Sequence, residues 1–163
     1  MLWLNVCWCV LRAPHWHRRY SPGLPPATWL AIPIFATTLA FLVPVPVPGV
    51  MVQLGLVSAL VDGVSRRLPL ELSLLLAVEL VLTSKVDPLG ALWWAVPLAV
   101  GARWGQVGRG DVILAAVLGL ESGPAGLVVA LTAALLFVAV TRSRQTLAFG
   151  PFLLLGAVCG AGW

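Results

Sequence analysis

Residues 124–140 read PAGLVVALTAALLFVAV, seventeen residues without a charged side chain. Six further stretches are mostly apolar and lie between polar, Pro-rich or Gly-rich segments. Apolar runs of this kind are typical of helices in a bilayer or in a protein core. The pattern predicts an all-α protein, a polytopic bundle of about six to seven transmembrane helices. The other six stretches are residues 27–43, 49–61, 69–83, 89–102, 112–120 and 147–162.

The composition of the whole chain also favours a membrane location. Of its 163 residues, 60% are hydrophobic and 10% are charged, and the mean hydropathy is +1.00. A soluble domain carries about 25% charged residues, so this chain has too few to cover a water-facing surface. The composition argues against a disordered chain and a soluble enzyme, and three cysteines suit neither a disulfide scaffold nor a zinc ribbon.

The positions of the basic residues indicate the orientation in the membrane. Nine of the ten are arginines, and all nine fall in cytoplasmic segments if the N-terminus is cytoplasmic. Lys85 is then the one basic residue on the outer side, as the positive-inside rule requires. Because these charges flank apolar runs and are not massed on one segment, they do not indicate nucleic-acid binding.

Residues 1–26 differ from the remainder of the chain. Their apolar part is too short to span a bilayer, and its basic residues follow it instead of preceding it, so it does not resemble a signal peptide. We predict a basic, Trp-rich cytoplasmic or interfacial segment over residues 1–26 and one transmembrane domain over residues 27–163. Most apolar stretches are shorter than the roughly 20 residues of a spanning helix, so flanking residues or a thinned bilayer must make up the difference.

Two of the six acidic residues are predicted to share one membrane face. Asp62 follows stretch 49–61, and Asp111 precedes stretch 112–120, whose helix we expect to run from near Asp111 to Glu121. Two carboxylates held close at a low-dielectric edge tend to share one proton, one acting as base and the other as acid. Glu79 lies inside an apolar stretch, where a charge is costly, and is therefore protonated, paired or functional.

The residues before Asp111 read Gly108-Arg109-Gly110. Glycines at these positions let a neighbouring helix or an extended peptide approach without a Cβ in the way. The alternative is an ordinary Gly-rich loop in which Asp111 caps a helix N-terminus.

Three motifs in order resemble those of the prepilin peptidases, a family of GxGD aspartic peptidases. Residues 62–69 read DGVSRRLP, residues 108–119 read GRGDVILAAVLG, and residues 149–156 read FGPFLLLG. The resemblance covers residues 50–162 and corresponds to the short form of the family, without its methyltransferase domain.

The resemblance implies a peptidase that removes the short leader of type IV prepilins or pseudopilins at the cytoplasmic face of a bacterial inner membrane. Asp62 and Asp111 would be the catalytic pair, without a metal or organic cofactor. The expected partners are the prepilin substrate helix and the lipid bilayer. Gly108 and Gly110 would form the active-site loop, and the structural motif positions would be Pro69, Gly119, Gly150 and Pro151.

Two alternatives stay open from the sequence. Leu70 and Ile113 replace a polar and a basic residue that are usual in the family, which favours a catalytically inactive pilus or secretion assembly homologue. A small proton-coupled transporter would instead use Asp62, Glu79 and Asp111 to carry ions. Neither the oligomeric state nor the identity of the base follows from the sequence.

Overall fold

The computed structural model describes residues 2–20, 25–42, 48–65, 67–105, 107–141 and 148–160. Within these ranges the chain forms eight α-helices and no strand, so the predicted all-α class is confirmed. No helix in the described part of the chain is both long and apolar enough to cross a membrane. The helices are α1 Leu2–Tyr20, α2 Pro26–Leu42, α3 Gly49–Ser65, α4 Leu70–Thr83, α5 Pro88–Arg103, α6 Arg109–Gly119, α7 Pro124–Thr141 and α8 Gly150–Gly160.

Prolines and one capping aspartate define several helix starts. Pro69 immediately precedes α4, while Pro88 and Pro124 are the first residues of α5 and α7. A proline in the first turn costs little, because the N–H it lacks has no partner within the helix. Asp87 precedes α5, and its carboxylate accepts the N–H of Leu89 at 2.9 Å.

Each of the seven apolar stretches corresponds to one of the helices α2 to α8. One offset concerns α6, which begins at Arg109 and ends at Gly119. The sequence predicted a helix from near Asp111 to Glu121, about two residues further along. Gly108 acts as the N-cap of α6, so the helix includes Asp111 in its first turn.

The N-terminal helix α1 contributes to the same core as the other helices. Cys9, Ala13 and Trp16 of α1 are buried, and the ring of Trp16 lies 6.5 Å from that of Trp29 in α2. Arg12 forms an ion pair with Glu71 of α4 at 3.4 Å. The sequence distinguished residues 1–26 from the rest of the chain by their composition. In the structure, α1 packs against the other helices.

Helices α5 and α6 are antiparallel neighbours in close contact. The backbone oxygen of Gly119 lies against the face of Gly90, and a Cβ on Gly119 would lie 2.9 Å from the Cβ of Trp94. Glycine is required at Gly119 because any side chain would collide with α5. This contact lies at the end of α6 opposite Asp111.

A similar glycine contact joins α7 to α8. Gly126, near the start of α7, lies against Gly156, and a Cβ on Gly160 would lie 2.5 Å from the Cα of Gly126. Helix α8 also runs antiparallel to α3, because Gly55 contacts Leu154 and Ala59 contacts Gly150.

These directions give the bundle two distinct ends. The C-terminal ends of α3 and α5 and the N-terminal ends of α4, α6 and α8 share one end, which we call the aspartate end. It includes the exposed residues Arg67, Arg103 and Arg109, whereas Lys85 lies between α4 and α5 at the other end. The fold thus places these arginines and Lys85 at opposite ends of the bundle.

Candidate active site

Asp62 lies in the last turn of α3 and is 4% exposed. Its Oδ2 atom accepts the backbone N–H of Gly150 at 2.9 Å, across 88 residues of sequence. Gly150 is the first residue of α8. The N-terminus of α8 is therefore directed at the Asp62 carboxyl, an orientation that favours negative charge there.

Position 150 leaves little room for a side chain. A Cβ on Gly150 would lie 3.0 Å from Asp62 Oδ2, 3.2 Å from Asp62 Cβ and 3.4 Å from the Cα of Ala59. The following residue, Pro151, is exposed and lies in the first turn of α8, where a proline is tolerated. Both predicted motif positions at the start of α8 therefore have a local structural reason.

Asp111 is the third residue of α6 and is partly buried. Its Oδ2 atom accepts the N–H of Gly108 at 3.2 Å, and a Cβ on Gly108 would lie 3.1 Å from that same oxygen. The alternative drawn from the sequence, in which Asp111 itself is the N-cap, is wrong: Gly108 is the N-cap, and Asp111 at the third helical position reaches back to its N–H, as in a capping box. Capping by Asp111 and a chemical role for it are compatible, because a carboxylate has two oxygens.

Gly110 joins the second motif to the first. A Cβ on Gly110 would lie 3.0 Å from the Cβ of Leu68 and 3.5 Å from its backbone oxygen. Leu68 and the buried Pro69 belong to the segment between α3 and α4. This contact holds the start of α6 beside the segment that follows Asp62.

Both aspartates have a raised pKa. They lie just outside the apolar stretches 49–61 and 112–120. Burial raises the pKa of Asp62, opposed by the hydrogen bond from Gly150. The pKa of Asp111 is raised to about 6, and burial is the largest cause. The negative charge of Asp62 raises this pKa further, whereas the hydrogen bond from Gly108 lowers it.

The negative charge of Asp62 acts on the Asp111 carboxyl. Ionising both in a partly desolvated site is unfavourable, so the pair holds a single proton over part of the pH range. The fold therefore brings together Asp62, Asp111, Gly108, Gly110, Pro69, Gly150 and Pro151, and leaves Gly119 at the far end of α6.

A second polar cluster lies in the core between α1, α2, α3 and α4. Asn5 donates from Nδ2 to Glu79 Oε2 and to Gln53 Oε1, both at 3.2 Å. Gln53 donates from Nε2 to the backbone oxygen of Leu2 at 2.9 Å and to Thr37 Oγ1 at 2.6 Å. The Glu79 carboxyl therefore accepts a hydrogen bond from the neutral amide of Asn5.

Sequence reasoning identified Glu79 but not its partners in this cluster. The available signal was Gln53, a polar amide inside apolar stretch 49–61. Gln53 and Asp62 are nine residues apart on α3, about 13 Å along the helix axis. The cluster is thus separate from the aspartate pair, and the contacts do not form a continuous row of carboxyls from Glu79 to Asp62 and Asp111.

Neither a metal site nor a known relative accounts for the aspartate pair. Within the described ranges, no group of three or more His, Cys, Asp or Glu residues is placed to hold a metal ion. Comparison of the chain with models of protein families, with curated proteins and with solved structures found no match. The function is therefore inferred from the residues and contacts of the site.

Proposed function

We propose that the chain is a membrane-embedded aspartic endopeptidase that cleaves the leader of type IV prepilins or pseudopilins at the cytoplasmic face of a bacterial inner membrane. The observation that carries this proposal is the placement of Asp62 and Asp111 at one end of the bundle, where Gly110 of α6 packs against Leu68 of the segment that follows Asp62; the charge of Asp62 also acts on Asp111. The likeness of residues 62–69, 108–119 and 149–156 to the prepilin peptidase motifs supports the choice of substrate.

The proposed chemistry needs only water and the two carboxyls. The ionised aspartate takes a proton from water as its oxygen attacks the scissile carbonyl carbon, and the protonated aspartate donates its proton to the carbonyl oxygen. The resulting diol collapses as the C–N bond breaks, and the proton held by the base passes to the leaving amine. Each turnover consumes one water and restores the starting protonation state.

The exterior of the bundle supports a membrane environment. Large apolar side chains face outward on α2, α4, α5 and α7, where a water-facing surface would carry charged groups. A lipid environment accommodates such faces without the penalty of exposing them to water. Representative members, each more than half exposed, are Ile34, Phe41, Val78, Leu82, Leu92, Trp93, Leu135 and Leu136.

An exposed edge lies next to each aspartate in the chain: Gly63 follows Asp62, Gly108 precedes the helix of Asp111, and both are exposed. A Cβ on Gly63 would meet no atom within 4 Å. An extended peptide needs such close access of backbone to backbone. We propose that the segment around the cleavage site lies along this edge.

The test is cleavage of a co-expressed prepilin, read by gel shift at matched membrane expression. We expect the wild-type chain to process the prepilin and Asp62→Asn and Asp111→Asn each to abolish that processing. Asp87→Asn is the matched control, because Asp87 is exposed, caps α5 at the opposite end, and asparagine caps equally well. Full processing by both aspartate variants would exclude the proposal.

A second candidate function is a non-catalytic pilus or secretion assembly protein. Each aspartate already has a backbone partner at a helix N-terminus, so both carboxyls also serve the fold, and Ile113 stands where the family usually has a basic residue. This candidate requires stable binding of an uncleaved prepilin by the wild-type chain. Pull-down of full-length prepilin without any processed product would favour it over the peptidase.

A further inference from the structure

At the start of α8, the N–H of Gly150 has no acceptor within the helix, and it points at the Asp62 carboxyl. The first N–H groups of a helix have no partner within it. Pro151 has no N–H, and the N–H groups of Phe152 and Leu153 both donate to the backbone oxygen of Phe149 at 3.1 Å. The N–H of Gly150 donates to Asp62 Oδ2 instead.

We infer that Gly150 is a positioning residue that keeps Asp62 ionised, so that Asp62 is the general base and Asp111 carries the shared proton. This assignment rests on the peptidase function proposed above. It concerns which carboxyl holds the proton, a question that the motifs leave open.

The two backbone hydrogen bonds support this assignment by their difference. The bond to Asp62 is 2.9 Å long and buried, whereas the bond to Asp111 is 3.2 Å long and exposed to solvent. Hydrogen bonds from N–H groups to a carboxylate strengthen as they shorten and as water is excluded. Both aspartates lie near a helix N-terminus, so the length and burial of these bonds distinguish them.

The two carboxyls also interact electrostatically, which sets their protonation as a pair. The charge of Asp62 is one cause of the raised pKa of Asp111, and that cause operates only while Asp62 is ionised. The pKa of Asp111 is raised to about 6, which favours the protonated acid on Asp111 in mildly acidic solution.

The absence of a side chain on Gly150 makes the short bond possible. A Cβ there would lie 3.0 Å from the very oxygen that accepts the N–H, so a larger residue must displace either α8 or the Asp62 carboxyl. Gly63 provides a matched control, because it neighbours Asp62 on α3 and its Cβ would enter open space.

The test is an infrared pH titration of the full chain in detergent, following the C=O stretch of protonated carboxyl groups. In Asp62→Asn only Asp111 of the pair can titrate, and in Asp111→Asn only Asp62 can. Subtracting the spectrum of the double variant from that of each single variant isolates the band of the remaining aspartate. We expect the Asp111 band to titrate at a higher pH than the Asp62 band. The reverse order would overturn the assignment of the proton.

Adding Gly150→Ala to Asp111→Asn tests the positioning role directly. We expect the Asp62 titration midpoint to rise by about 1 pH unit when its charged form loses the N–H partner, and Gly63→Ala in the same background to leave it unchanged. An unchanged midpoint in the Gly150 variant would overturn the role of Gly150. Neither infrared measurement depends on cleavage. Failure of the peptidase proposal would therefore appear separately, in the co-expression assay, as a prepilin that the wild-type chain leaves unprocessed.

Discussion

Gly110 and Leu68 lie so close that a Cβ on the glycine would be 3.0 Å from the Cβ of Leu68. This contact connects the helix that holds Asp111 to the segment that follows Asp62. The alignment of the two carboxyls therefore depends on a position that has no side chain and takes no part in the chemistry.

Gly110→Val should weaken both the fold and the cleavage activity. A branched side chain has no space beside Leu68, and overpacking of this kind costs about 1–3 kcal/mol. We expect a lower unfolding temperature in detergent and a larger loss of prepilin cleavage than the loss of folded protein explains. Gly49→Ala is the control, because Gly49 begins α3 at the end away from Asp62 and its added methyl group would lie at an ordinary 3.7 Å from Leu2. Wild-type cleavage by a folded Gly110→Val chain would contradict the alignment role.

The stability of the protein should fall as the pH rises through about 6. The folded pKa of Asp111 lies above its ordinary value of 3.8, so the folded state binds more protons than the unfolded state between these values. The resulting stabilisation is complete below the unfolded pKa and is lost as the pH rises through the folded pKa. Burial raises the pKa of Asp62 as well, which adds to the effect in the same direction.

Thermal unfolding of the full chain across this pH range measures the effect. Asp111→Asn should flatten the dependence, because asparagine does not titrate. Asp87→Asn, at the other end of the bundle, should leave the dependence as it is in the wild type. A slope that Asp111→Asn does not alter would show that the dependence has another origin.

The sequence predicted the helical class and the order of the helices because long apolar runs separated by prolines and glycines allow few other structures. It also predicted that Asp62 and Asp111 would share one end of the bundle, since alternating helix directions follow from the chain order. It did not predict the contact of Gly150 with Asp62 or of Gly110 with Leu68. Those contacts depend on how distant helices pack, and the periodicity of one helix carries no information about that packing.

The core position of α1 was equally inaccessible to sequence reasoning. Its residues read as basic and Trp-rich, which suits an interface as well as a core. Cys9, Ala13 and Trp16 are buried there, and Asn5 donates to Gln53 and Glu79. An isolated asparagine near an N-terminus gives no indication of its partner.

Cleavage should decline on the alkaline side as the pair loses its shared proton. Catalysis by this mechanism requires one ionised and one protonated carboxyl, and the pKa of Asp111 is about 6. We expect kcat/KM for a synthetic prepilin peptide to fall tenfold for each pH unit well above that value. Initial rates in detergent from mildly acidic to mildly alkaline buffer provide the profile. A rate that stays constant across this range would be inconsistent with a proton held by Asp111 in the free enzyme.

The polar cluster around Gln53 should stabilise the docking of α1 and α2 without affecting the chemistry. Thr37 and Thr38 form a matched pair, because each hydroxyl donates to the backbone oxygen four residues earlier, at 2.7 and 3.0 Å. Thr37 is buried and also accepts from Gln53, whereas the Thr38 bond is exposed. Thr37→Ala removes the acceptor of a buried amide and should cost about 1–3 kcal/mol of unfolding free energy, while Thr38→Ala should cost little.

Denaturant titration of both variants, together with prepilin cleavage, separates structure from catalysis here. We expect the folded fraction of Thr37→Ala to cleave at the wild-type rate, because the cluster lies about 13 Å along α3 from Asp62. Glu79→Gln should likewise retain cleavage, since its side-chain oxygen can still accept from Asn5. Loss of proton or solute flux in proteoliposomes on Glu79→Gln, with cleavage absent in the wild type, would instead support the transporter alternative.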